Sequence, residues 1–145
     1  MKLHLQEDPS CSETEVTIRC AAADGEVLNL LATLRAFDRK LTGAQNGQTY
    51  VLDAADILYA DSTDRHTFLY TSAGVYETPL RLYELEDRLG SGEFFRASKS
   101  LIVNFNQIQS LRPEFGGRFL LTMKNGEKCL VSRQYVPVLK TKLGL

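Results

Sequence analysis

Four short apolar runs, Tyr50 to Leu52, Ile57 to Ala60, Thr67 to Thr71 and Gly74 to Glu77, follow one another with no more than six residues between neighbours. Parallel pairing needs a crossover of a dozen or more residues, so runs this closely spaced pair as antiparallel hairpins or a meander. The pattern resumes further on with Leu101 to Val103, Ile108 to Leu111, Phe119 to Met123 and Cys129 to Val131. Arg112-Pro113 and Gly116-Gly117 are expected to stop the Ile108 run. Asn125-Gly126 predicts a type I′ hairpin turn, because both residues accept positive φ. Between the two groups, Thr78-Pro79 supplies an N-cap followed by proline at the first helical position, and Leu82, Leu85 and Leu89 mark a short helix that ends at Gly90.

The N-terminal third reads differently. Residues 1–13 are polar with little periodicity and suggest a loose arm, after which Val16, Ile18 and Cys20 alternate with Thr17 and Arg19 as in a half-buried strand. Asp24 then caps an amphipathic helix with Val27, Leu30, Leu31, Leu34 and Leu41 on one face, closed by Thr42-Gly43. Ala44 to Gln48 reads as a turn or linker. These readings divide the chain into a strand–helix unit at 1–45 and a mostly β domain with short helices at 46–145.

The chain has 145 residues, 43% of them hydrophobic and 24% charged, values typical of a globular protein with a core of its own. No stretch approaches the roughly 18 apolar residues of a membrane span, and MKLHLQEDPS lacks the apolar segment of a signal peptide, so a cytoplasmic protein is expected. Cys11, Cys20 and Cys129 show no pairing or zinc spacing. The histidines are His4 and His66, too few and too far apart for a recognisable metal site, and no nucleophile or phosphate-loop motif appears. The expectation is a protein without catalysis, cofactor or metal.

The formal charge of −1 conceals a division. From Phe94 onward there are nine basic residues against two acidic ones; from Asn46 to Glu93 there are three basic against nine acidic. Such a chain presents a basic face to a polyanion if the two sets separate in space, and cancels if they mix. Three polar turns concentrate the donors: Asp64-Arg65-His66-Thr67, Ser98-Lys99-Ser100 and Ser132-Arg133-Gln134. Each serves either as a plain surface turn or as a contact, since Arg and Lys donate to guanine N7 and O6 while serine hydroxyls and backbone amides suit phosphate oxygens.

Taken in order, these motifs resemble the LytTR-type DNA-binding domain of bacterial transcriptional regulators. The resemblance is carried by Asp56-Ile57-Leu58-Tyr59 with Asp61-Ser62; the loop ending at His66; Leu85-Glu86 with Leu89; Phe94-Phe95-Arg96-Ala97-Ser98-Lys99-Ser100 with Ile102-Val103-Asn104; Ile108; Asn125-Gly126; and Val131-Ser132-Arg133 with Tyr135. It implies an elongated antiparallel β fold whose loops enter successive major grooves of double-stranded DNA, with His66, Lys99 and Arg133 as base readers. Arg65, Ser98, Ser100 and Gln134 are assigned to the phosphate backbone on chemical grounds. Arg96 is either a DNA ligand or the partner of an acidic side chain, with the structural role favoured, and Asn104 is read as a turn cap.

Residues 1–45 are too short for the phosphorylated receiver domain of response regulators. The expectation is a stand-alone regulator in which the Asp24 to Leu41 helix either supports a homodimer or packs on its own domain. An unidentified regulatory protein is a further expected partner. The rival reading is a protein-interaction module whose basic face meets an acidic partner.

Overall fold

The computed structural model describes residues 1–90 and 92–145, except for the side chains of residues 36–38, which fall within the expected N-terminal helix. It divides into two compact units, Met1–Leu34 and Arg35–Leu145. Residues 1–24 contain neither helix nor strand, and helix α1, Gly25–Asp38, begins in the first unit and ends in the second. Asp24 caps it as expected, its Oδ1 accepting from the Val27 amide at 3.1 Å. The strand expected at Val16 to Cys20 does not form. Its alternation finds no paired neighbour, and an isolated extended segment leaves its backbone groups to water; Val16 is 64% exposed.

The helix also stops short of Leu41. That residue belongs to β1, Lys40–Gln45, where it is buried. Thr42-Gly43 lies inside the same strand rather than closing a helix. A Cβ on Gly43 would stand 2.6 Å from the Tyr76 Cβ, so this glycine serves a close approach between strands. Of the two readings of Ala44 to Gln48, turn or linker, the turn holds. β1 pairs with β2, Gln48–Asp53, around Asn46 (φ 51°) and Gly47 (φ 76°), the two positive angles of a type I′ turn. Residues 40–45, placed by the sequence in the N-terminal unit, therefore enter the sheet.

The other strands are β3 Ile57–Thr63, β4 His66–Thr71, β5 Gly74–Thr78, β6 Phe94–Ser98, β7 Leu101–Asn104, β8 Ile108–Glu114, β9 Arg118–Met123 and β10 Lys128–Val131. The fold is mostly antiparallel β, as its short connections require. β1 to β7 form one sheet in the order β2-β1-β5-β4-β3-β7-β6, and β8 to β10 form a second in the order β10-β9-β8. β8 continues through Arg112-Pro113 to Glu114, past its expected end. As an edge strand it can hold a proline without losing a ladder bond. At Asn125-Gly126 only Gly126 has positive φ (90°), so the turn is not type I′; the Asn125 Oδ1 instead accepts from the Glu127 amide at 3.1 Å.

Helix α2 spans Leu82–Leu89 and ends at Gly90 (φ 71°) as expected. Its N-cap is Arg81 rather than Thr78, and Pro79 precedes the helix instead of opening it, because Thr78 is held in the ladder opposite Thr67. Glu84 reaches back to the Arg81 amide at 3.0 Å. Helix α3, Val136–Leu143, carries Pro137 in its first turn, and Arg133–Tyr135 form a separate 3₁₀ turn ahead of it.

Two cores result. Leu41, Ile57, Leu69 and Ile102 pack with Leu85 of α2 on one face of the large sheet. Leu58 and Val103 pack with Leu121, Met123 and Val131 of the second sheet and with Leu139 of α3. Among the described residues no helix is long and apolar enough to cross a membrane.

Candidate nucleic-acid interface

The large sheet brings two of the three polar turns to one end. β3 ends and β4 begins at the Asp64-Arg65 turn; β6 ends and β7 begins at Lys99-Ser100. β3 lies between β4 and β7, with Thr63 opposite His66 and Asp61 opposite Leu101. The Ser62 amide donates to the Ser100 carbonyl at 3.0 Å, which ties the turns together. The third segment joins from the second sheet. Just after β10, the Ser132 amide donates to the Ala97 carbonyl of β6 at 2.9 Å. The order along this edge is therefore His66, Lys99, Arg133. With strands about 4.8 Å apart, β4, which begins at His66, stands roughly 10 to 14 Å from β7 and β6, the strands that the Lys99 turn joins, and Arg133 lies beyond them.

Each segment is built for display. Asp64 and Arg65 both take positive φ (52° and 68°), a conformation that side chains other than Gly, Asn and Asp rarely adopt; the tight hairpin imposes it on an exposed arginine. His66 Nδ1 lies 2.6 Å from Glu77 Oε1 on β5. An ionised carboxylate can only accept, so Nδ1 carries the proton there, and Nε2 is the ring nitrogen left for an outside partner.

The Lys99 turn rests on Arg96. Its guanidinium donates to the Ser98 carbonyl at 2.8 Å and the Lys99 carbonyl at 2.6 Å, and pairs with Glu86 of α2. Arg96 thus has the structural role expected of it. Ser98 Oγ accepts from the Ser100 amide at 3.2 Å, bracing the turn from within. Asn104 caps as expected, its Oδ1 accepting from the Asn106 amide at 3.0 Å. Lys99, Ser100, Arg133 and Gln134 are exposed, and Ser98 is half-buried.

The charge segregation read from the sequence is partial. Arg96 pairs with Glu86 across the boundary between the basic and acidic stretches, while His66 and Glu77 pair within the acidic one. Among the described residues, Arg65, Lys99 and Arg133 form no ion pair, although Asp64 stands beside Arg65 in the first turn. Glu77 was not legible as a neighbour of His66. They are eleven residues apart and only the β4–β5 pairing brings them together.

Away from the turns, along β3 and β4, lies a polar cluster. The Tyr59 and Tyr70 rings stack at 4.3 Å; Tyr70 donates to Asp61 Oδ2 at 3.0 Å and Tyr59 to Glu127. Burial raises the Asp61 carboxyl, opposed by the Tyr70 hydrogen bond. Burial also pushes the Cys129 thiol up to about 12, which keeps it protonated and unreactive at neutral pH.

The fold and this edge define a mostly antiparallel β domain that presents cationic turns along one side. The family model described as the LytTr DNA-binding domain matches residues 47–144, and the chain belongs to that family. It is similar to the sensory transduction protein LytT of Bacillus subtilis, 32% identical over 110 residues, which cover 76% of this chain and 46% of LytT. The chain thus spans about half the length of that relative. It is also 26% identical to an uncharacterized HTH-type transcriptional regulator of Staphylococcus aureus, covering 100% of this chain and 99% of the other. Among solved structures, a LytTr DNA-binding domain from Bacillus cereus superposes with a TM-score of 0.71 at 27% identity, over 74% of this chain and 98% of that one.

Proposed function

We propose that the protein is a bacterial transcriptional regulator that binds double-stranded DNA sequence-specifically in the cytoplasm, by binding alone and without catalysis. His66, Lys99 and Arg133 read base edges in successive major grooves. Arg65, Ser98, Ser100 and Gln134 position the domain on phosphates. The observation that carries this reading is the row of three turns along one edge, each offering a donor with its support beneath it. Loops rather than a recognition helix do the reading, since α2 and α3 are separated by five strands and cannot form the short-turn pair of a helix-turn-helix.

Selection of bound sequences from a random duplex pool tests this. The recovered duplex should bind at least about 10³-fold more tightly than its scrambled version at physiological salt, and affinity should fall steeply as salt rises. Equal binding to both duplexes rejects the regulator reading and favours an acidic protein partner for the same face.

The protein acts as a homodimer through α1, whose Val27, Leu30, Leu31 and Leu34 are only half-buried and whose Leu28 is 56% exposed. The helix is also the natural place for a regulatory protein to intervene. In sedimentation, the full chain should run as a dimer and a Leu30→Glu/Leu34→Glu variant as a monomer. Identical monomeric behaviour of both would rule the dimer out.

A further inference from the structure

We propose that the β8–β9 hairpin tip is a fourth DNA contact, in which Phe115 enters the minor groove beside the major-groove segment met by Arg133. The inference rests on the DNA-binding reading above and adds an element that no sequence motif pointed to.

Position comes first. β9 starts at Arg118, and Phe119 pairs with Val131, so the tip lies at the same end of the second sheet as Ser132-Arg133. The two touch: a Cβ on Gly117 would stand 3.0 Å from Cδ and 3.1 Å from Cγ of Arg133, so the arginine stem lies directly against the glycine. The hairpin is thus the next element in the row after the three turns.

Construction comes second. Glu114 opposes Arg118 across a three-residue loop, with Gly116 and Gly117 at φ 80° and 76°. The Arg118 Nε donates to the Phe115 carbonyl at 2.9 Å, fixing the loop. Phe115 is 88% exposed, the most exposed aromatic among the described residues, and belongs to neither core cluster. A tip braced by Arg118, with the Arg133 stem against its Gly117 and a phenyl ring held in solvent, suits a surface that is apolar within and anionic at its rims.

The minor groove has that character: sugars form its walls and phosphates its borders, and proteins that use it insert apolar side chains flanked by cations. An element adjoining one seated in the major groove, which is about 12 Å wide, meets the phosphate backbone and then the minor groove. Phe115 reads no base there, so it contributes affinity and groove shape rather than a preferred letter.

The experiment compares the full chain with Phe115→Ala and Phe115→Leu on the duplex recovered by selection, measuring affinity and hydroxyl-radical protection of the sugars. Phe115→Ala should lose about tenfold in affinity and the protection next to the Arg133 contact, with unchanged base preference and melting temperature. Phe115→Leu should keep most of both, because a leucine still fills the groove. Affinity and protection in Phe115→Ala equal to those of the unaltered chain overturn the proposal while leaving the three-turn reading intact. Absence of any sequence preference in the unaltered chain overturns that reading and this one together.

Discussion

Lys99→Ala and Arg133→Ala are each expected to erase the preference for one segment of the bound sequence while leaving the fold intact. Both side chains are exposed, and neither forms an ion pair among the described residues, so their removal leaves no buried group unsatisfied. A base-reading donor is worth about 1–3 kcal/mol of discrimination, or roughly 5- to 150-fold between the selected duplex and one altered at that step. The two losses should add, because each belongs to its own segment. Lys124→Ala is the contrasting variant. It sits in the β9–β10 turn, at the opposite end of the second sheet from Ser132, and should leave the preference unchanged. Binding by titration to selected and single-position variant duplexes measures all three. If Lys99→Ala weakens binding to every duplex equally, Lys99 contacts phosphate and the central assignment fails.

The second large effect concerns stability. Asn104→Ala is expected to cost about 2–4 kcal/mol, since it strips partners from buried backbone groups. Asn104 is fully buried; its Nδ2 donates to the Ile57 carbonyl at 2.9 Å and lies 3.4 Å from that of Ala55, and its Oδ1 accepts from the Asn106 amide at 3.0 Å. One side chain thus joins the end of β7 to the 3₁₀ turns at Ala54–Asp56 and Phe105–Gln107. Thermal melting should fall by on the order of 10 °C.

Asn104→Asp sharpens the test through pH. At neutral pH it faces the Ile57 carbonyl with a second acceptor and should be at least as damaging as alanine. Burial and that carbonyl raise the folded-state pKa of the introduced carboxyl, so the cost is present above that pKa and relieved as pH falls through it, when the protonated acid can donate to Ile57. Melting temperatures of Asn104→Asp that do not rise, relative to Asn104→Ala, on acidification would show that the donated hydrogen bond is not what holds this joint.

What the residues disclosed by themselves was local. Alternation marked β3, β4, β9 and β10, close spacing made the sheets antiparallel, Gly90 ended α2, and Asn104 announced a cap. Local signals failed where two structures share one signature. Leu41 continued a helical spacing but lies in β1, and Gly43, which looked like a helix stop, is there because Tyr76 passes too close for a side chain. Of the two Asn-Gly pairs, the one at Asn46-Gly47, read only as a turn or linker, makes the type I′ turn, whereas Asn125-Gly126 does not. A dipeptide permits a backbone angle, but the register of its flanking strands decides whether that angle is used.

The family was legible because its motifs are residue types in order along the chain. The interface was not, because it depends on pairing between segments far apart in sequence. β7 beside β3, Glu77 beside His66, Ser132 bonded to Ala97 and Gly117 beneath Arg133 follow from the closing of two sheets around two cores. The donors were therefore written in the sequence, whereas their alignment along one edge was set by tertiary packing, since backbone hydrogen bonds between distant strands are satisfied only when the whole fold is in place.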